Sequence, residues 1–355
     1  MRWGAFMVDG LGCARFANAI QDSTSLNRRG RIFPDLRSFK PKAVDAIGRL
    51  SEMGAKKKLI ITGAHGFVAG SVLTQAGSDW EVHAISRSQE TVRRDSWHWH
   101  VCDPLARAAL TQVFRDVHPY AVIHTAAQAD VDFCQAHPEL ARAVNVNLTR
   151  NLVELCAESG ARLVFCSTDT IFDGEHAPYK EADLPGPVNL YAETKVEAEQ
   201  SVSRLGAQAV IARLALVIGL PLVGAGNSFV VRMIAALKSG RAIAVPEHEV
   251  RTPVDVITAG RALLELAAGN HCGVFHLSGL SRVNRLELTR TIASRFGFPE
   301  HLVIAQTASA MPDRAARPRD VSLANNKACA ELKTAMRTLD EGLSLILHTA
   351  GSLSL

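Results

Sequence analysis

From Lys58 onward the chain alternates short apolar runs with helical stretches, and this alternation limits the folds open to it more than any other feature. Leu59-Ile60-Ile61 reads as a buried parallel strand. It runs into Thr62-Gly63-Ala64-His65-Gly66-Phe67-Val68-Ala69-Gly70, a glycine-rich turn that opens a helix. Glycine at 63 permits the tight turn, Gly66 lets the backbone approach a pyrophosphate, and a small residue at 69 allows close helix-to-strand packing. The anion would rest on the N–H groups of the helix N-terminus, which places Gly63, His65, Gly66, Phe67 and Val68 around a dinucleotide. Further strands are expected at residues 81–85, 97–101, 121–124, 162–166 and 209–214, with a helix over 145–159. Strands alternating with helices predict an α/β fold, a Rossmann-type doubly wound parallel sheet with its chemistry outside the carboxyl ends of the strands.

The second strand ends at Ser86-Arg87-Ser88, about twenty residues past the glycines, where an NAD site wants a carboxylate and a 2′-phosphate wants a cation. Arg87 therefore favours NADPH, with NADH left open and a merely solvated arginine as the plainer alternative. Asp103 either faces the adenine or caps the helix that Pro104 starts. Ala126 and Ala127, after the fourth strand, would leave room for the cofactor.

The fifth strand delivers Ser167-Thr168-Asp169, and a helix follows with Tyr191-Ala192-Glu193-Thr194-Lys195. Positions four apart share a helix face, so the Lys195 ammonium can sit beneath the Tyr191 ring and favour the phenolate. Making a tyrosine a proton donor or acceptor near neutrality asks for roughly three pKa units, or about 4 kcal/mol, of which Lys195 would supply part. The Thr168 hydroxyl can donate to a substrate oxygen while the tyrosine exchanges a proton with it, the polarisation a carbonyl needs to accept hydride.

The turn at 62–70, the run Ser167-Thr168-Asp169-Thr170-Ile171-Phe172-Asp173-Gly174, and the block from Pro178 to Lys195 resemble the extended short-chain dehydrogenase/reductase superfamily. Within it they are most similar to the dTDP-4-dehydrorhamnose reductase branch, over roughly residues 58–350. The resemblance implies an NAD(P)H-dependent reductase of a nucleotide-linked keto-sugar. It would make Tyr191 the proton donor, Lys195 the residue that positions the nicotinamide ribose and lowers the tyrosine pKa, and Thr168 the group that polarises the ketone. Asn145 would assist a proton-relay water. Thr168 and Asp169 would meet the substrate, and Arg251, Arg317 and Arg319 are candidates to clamp its diphosphate, against the plainer reading of solvated loop arginines. Ala69, Thr170, Ala192 and Thr194 depart from the branch's commoner residues without removing a group the mechanism needs. An epimerase or dehydratase of the same superfamily, or a non-catalytic NAD(P)-binding regulatory subunit, are the competing functions; Thr170 after Asp169, where a dehydratase would carry an acid, counts against the dehydratase.

Domain boundaries are expected near residues 55 and 215: an N-terminal extension over 1–55, a mainly dinucleotide-binding region over 56–215, and a mainly substrate-binding region over 216–350, part of which returns to the sheet; residues 251–256 resemble the family's returning segment. The extension reads as a disordered arm, a targeting arm or translated sequence upstream of the true start. From Met1 to Lys58 there are 12 Lys+Arg against 5 Asp+Glu, a charge of +7; the chain totals +4, and 4 − 7 leaves about −3 beyond it. No nucleic-acid partner is expected for that main body. Seven scattered cysteines without a Cys-x-x-Cys pair suggest reduced thiols in a cytoplasmic protein. No membrane segment is expected, and a homodimer stays open. The 13 histidines show no helix-spaced His–carboxylate pair, so no metal site is expected.

Overall fold

The computed structural model describes residues 56–89, 96–223, 228–306 and 314–353; the reading of residues 1–55 as an extension lies outside the described residues. Seven strands form the central sheet: β1 (Lys57–Thr62), β2 (Trp80–Ser86), β3 (Trp97–Val101), β4 (Ala121–His124), β5 (Arg162–Thr168), β6 (Ala209–Leu214) and β7 (Gly273–Leu277). Their spatial order is β7-β6-β5-β4-β1-β2-β3, and every pairing is parallel. The order reverses at β1, which pairs with both β2 and β4, so the turns after β1 and β4 diverge there and leave a crevice at the carboxyl edge.

Alternate residues of each strand serve opposite faces. Leu59 and Ile61 join a core with α1 (Phe67–Gln75) and α6 (Val256–Ala268), through Val72, Leu263 and Leu266. Ile60 points the other way, into a core with α2 (Arg107–Val117), α3 (Leu148–Ser159) and α4 (Leu190–Val202), through Phe114, Leu152 and Val202. A sheet covered on both sides needs continuous apolar strands, which is why these runs are legible without alternation. Helices α1 and α6 approach closely because residue 260 is glycine: a Cβ there would lie 2.6 Å from Ser71 Oγ.

A third core lies beyond β6. Ile218, Met233, Val245, Ile292 and Leu343 pack together, drawn from α5 (Phe229–Lys238), α7 (Arg285–Arg295) and the helix Leu339–Leu353 among other segments. The segment expected to return the chain to the sheet, residues 251–256, instead forms two short ladders outside it, Val250–Arg251 with Val283–Asn284 and Val254–Asp255 with Val217–Ile218. The return is made one helix later, when α6 delivers β7 alongside β6. Among the described residues no helix is long and apolar enough to cross a membrane.

Candidate active site

The glycine turn fills the crevice beside β4. Gly63 has φ +70°, and a Cβ on it would stand 2.7 Å from Ala126 Cα, so only glycine brings β1 this close to the residues after β4. The Gly66 N–H closes the turn on the Gly63 carbonyl at 2.7 Å. Gly66 is also the N-cap of α1; no side chain caps that end, and its first turn carries no acid. An uncapped N-terminus without acids, behind a turn with no room for a Cβ, fits a dinucleotide pyrophosphate. Arg87 stands exposed at the end of β2, on a turn held by Trp99 Nε1, which donates to Ser86 Oγ (3.2 Å) and to the Ser88 carbonyl (3.0 Å). His65 packs against the Trp99 ring at 5.0 Å and reaches the Ser88 carbonyl at 3.4 Å.

Asp103 does not cap a helix. Helix α2 begins at Arg107, and the Asp103 carboxylate accepts from Leu105 N at 3.0 Å in a preceding turn, where Pro104 lies. Asn145 lies not in a regular helix but in a π-helical turn, Ala143–Asn147, that precedes α3. Its Oδ1 accepts from Gln128 N (2.8 Å), while Nδ2 donates to the Gln128 carbonyl (3.0 Å) and to Thr194 Oγ1 (3.0 Å). Asn145 thus ties the chain after β4 to the helix carrying Tyr191 and Lys195. The fully buried His124 extends the tie, with Nδ1 on Thr62 Oγ1 (2.7 Å) and Nε2 on Thr149 Oγ1 (3.0 Å). Burial, and then the Lys195 charge, push its pKa down to about 3, so it is neutral.

Strand β5 runs two residues further than expected and carries Ser167 and Thr168 itself. Helix α4 starts at Leu190 with Asn189 as N-cap, its side chain accepting from Ala192 N at 2.9 Å. Tyr191, Lys195 and Thr168 are all buried. The Lys195 ammonium is fixed from β5: it donates to the Cys166 carbonyl at 2.7 Å and lies 4.1 Å from the Phe165 ring centroid. Burial lowers its pKa to about 8. The expectation that Lys195 lowers the phenol of Tyr191 needs correcting for this structure. Burial raises the Tyr191 pKa, hydrogen bonding to Thr168 opposes it, and the Asp169 charge raises it further. Tyr191 is therefore a protonated phenol, in the state of a proton donor.

Asp169 and the loop arginines also differ from expectation. Asp169 is buried, and burial pushes its carboxyl up against the Arg251 charge 3.9 Å away. Arg251 is itself buried and donates to the carbonyls of Val250 (2.7 Å), Arg319 (3.3 Å) and Pro318 (3.3 Å), so it braces the loop instead of standing free as a clamp. Arg317 makes the bidentate pair expected of it, but with Asp132, at 2.7 and 2.8 Å. With Asn189 Nδ2 donating to the Ala316 carbonyl at 2.9 Å, that pair fastens this loop over the start of α4. Arg319 is exposed. A cation the sequence did not single out is Arg285, stacked 4.2 Å from the Phe229 ring centroid. Burial lowers its pKa to about 10; Glu249 opposes the fall, and Arg251, Arg314 and Arg232 add to it. Asn189 was findable as a helix-start signal before an apolar residue; Arg285 carried none.

The chain is similar to several known proteins. A family description for the RmlD substrate binding domain matches residues 57–351. The beta subunit of methionine adenosyltransferase 2 from Bos taurus is 30% identical over 285 residues, covering 78% of this chain and 82% of the relative. A dTDP-4-dehydrorhamnose reductase from Mycobacterium tuberculosis is 31% identical over 270 residues, covering 74% of this chain and 84% of the relative. The crystal structure of dTDP-4-dehydrorhamnose reductase from Bacillus anthracis, in complex with NADP, superposes with a TM-score of 0.75 at 24% identity, covering 83% of this chain and all of that one. The Bacillus anthracis structure holds NADP, and a dTDP-glucose 4,6-dehydratase structure from Streptomyces venezuelae that shares the fold holds NAD. The seven-stranded parallel sheet with flanking helices is the Rossmann-like fold of these structures, and the chain belongs to the RmlD substrate binding domain family.

Proposed function

We propose that the protein reduces a 4-keto group on a nucleotide-linked sugar, using NADPH in preference to NADH. The observation that carries this reading is the meeting of Thr168, a protonated Tyr191 and a buried Lys195 at the carboxyl edge of the sheet, beside the glycine turn. The turn at 63–68 would hold the pyrophosphate of a nicotinamide dinucleotide, with Ala126 and Ala127 leaving room alongside, and the bound cofactor would supply the hydride. Thr168 Oγ1 donates to the ketone oxygen and draws electron density from the carbonyl carbon. Tyr191 Oη gives its proton to the same oxygen as charge develops there. Lys195, held on Cys166 O, then balances the phenolate left behind and would contact the nicotinamide ribose. Arg87 and no acid at the end of β2 favour the 2′-phosphate. Arg285, with the charges of Arg232 and Arg314 acting on it, would supply the cationic surround for a diphosphate, while Arg251 braces the loop and pairs with Asp169. Turnover of dTDP-4-dehydro-6-deoxy-L-mannose, followed by loss of reduced-nicotinamide absorbance with each cofactor, tests the proposal. Oxidation of NADPH with this ketone supports it, and inertness toward a panel of nucleotide keto-sugars, with cofactor binding intact, refutes it.

A second reading has its own support in the relative named as a subunit of methionine adenosyltransferase 2. There the chain would bind NADPH and a partner enzyme without turning a substrate over. Co-purification with a methionine adenosyltransferase, in a preparation that oxidises no NADPH, would favour it.

A further inference from the structure

Four titratable side chains meet on the sheet far from the Tyr-Lys helix. Glu81 and His83 lie on β2, His98 and His100 on β3, and the parallel register sets His83 opposite His98 and Ile85 opposite His100. Side chains two apart on a strand share a face, so all four occupy the face on which Ile85 packs with Leu110 and Phe114. His83 Nε2 is 3.0 Å from Glu81 Oε1, and His98 Nε2 is 3.9 Å from the same oxygen. The rings of His83 and His98 stack at 4.8 Å. His83 Nδ1 meets His100 Nε2 at 3.0 Å, and the His83 side chain is only 9% exposed.

We propose that Glu81, His83 and His98 bind a divalent transition-metal ion of the zinc class, with His100 holding His83 in position. One ligand atom from each of the three lies within 4.8 Å of the other two, and among the described residues no other group of three His, Cys, Asp or Glu side chains converges in this way. Zinc–nitrogen and zinc–oxygen bonds of about 2.0–2.2 Å, arranged tetrahedrally, set ligand atoms roughly 3.4 Å apart. The separations of 3.0 and 3.9 Å from Glu81 Oε1 bracket that value. Rotation of the exposed His98 ring closes the remaining gap. The His83–His100 bond matters because a ligating imidazole gives its second N–H to a partner, which fixes the tautomer and leaves Nε2 to the metal. Two imidazoles and one carboxylate suit zinc and its first-row neighbours better than magnesium or calcium. Lys58 Nζ, 3.9 Å from Glu81 and partly exposed, is the cation an ion would displace. Glu81 and His83 precede Ser86, where β2 reaches the cofactor end, so the ion would pin the edge strand β3 to β2 and take no part in hydride transfer.

The test uses the untagged full chain, stripped with a chelator and titrated with Zn²⁺ by calorimetry and with Co²⁺ by visible absorption. One ion per chain is expected, with the bands of tetrahedral Co²⁺ and no thiolate charge-transfer band. His98→Ala and Glu81→Gln, whose side chains are partly exposed, should keep the metal-free circular dichroism and weaken Zn²⁺ by about tenfold or more, and His100→Ala should weaken it by about 10–100-fold. No binding to the wild type, unchanged affinity in His98→Ala and Glu81→Gln, or a thiolate band would overturn the assignment.

Discussion

Replacing Lys195 by methionine tests how the site carries its charge. Lys195 is 2% exposed, and burial lowers its pKa from 10.5 to about 8. In the unfolded chain it titrates at its ordinary value, so between about pH 8 and 10.5 the unfolded state binds more protons than the folded one. The sign follows from that difference. Below the folded pKa the native state bears the whole cost of a buried charge, and wild-type stability rises with pH across the window. The full shift corresponds to about 3 kcal/mol, of which about 2 kcal/mol is regained between roughly pH 7 and pH 9.5. Lys195→Met fills similar space and has no proton to lose, so it lacks this slope. Urea unfolding of both proteins at the two pH values isolates the effect, because the other titrating groups cancel in the difference. Wild type should gain about 2 kcal/mol on the variant as pH rises. A difference that does not change with pH would show that Lys195 is solvated or neutralised by an anion, and would refute the reasoning.

Other substitutions probe separate links. Gly63→Ala forces a left-handed φ on alanine and a Cβ against Ala126, so it should cost about 1–3 kcal/mol, read as a lower thermal midpoint, and weaken NADPH binding by fluorescence titration. Arg213 and Glu199 form a buried pair with Nη2 to Oε2 at 2.9 Å. Arg213→Met should cost about 3–5 kcal/mol in urea unfolding by stranding the carboxylate, with adding Glu199→Leu recovering part of the loss. Asn189→Ala removes the cap of α4 and a tie to Ala316; about 0.5–2 kcal/mol should be lost, and proteolysis near residue 316 should quicken.

Much of the sheet was legible because a parallel strand covered on both faces leaves an unbroken apolar run. Trp97–Val101, Ala121–His124 and Ala209–Leu214 sit where the sequence puts them. Strand β7, Gly273-Val274-Phe275-His276-Leu277, was not read from the sequence; its buried His276 meets the Ala324 carbonyl, 3.0 Å from Nδ1. The Tyr191–Lys195 helix was legible from spacing, but the cation's partner was not, since Cys166 O belongs to a strand 29 residues away. Arg251 and Arg317 look alike in sequence and differ in fate because Asp169, Asp132 and three carbonyls reach them only through tertiary contacts. The π-helical turn around Asn145 likewise has no local signature. Glu81, His83, His98 and His100 carry no helix-spaced signal, because the group is built from a two-residue period on two paired strands.

Tyr191 is the proton donor in the proposed keto-sugar reduction. Steady-state NADPH oxidation with dTDP-4-dehydro-6-deoxy-L-mannose, comparing wild type with Tyr191→Phe at matched NADPH affinity, tests that most directly. Loss of the Oη proton should reduce kcat by about 10²–10⁴-fold, with cofactor binding unchanged. A phenylalanine variant that turns over at the wild-type rate would contradict the account.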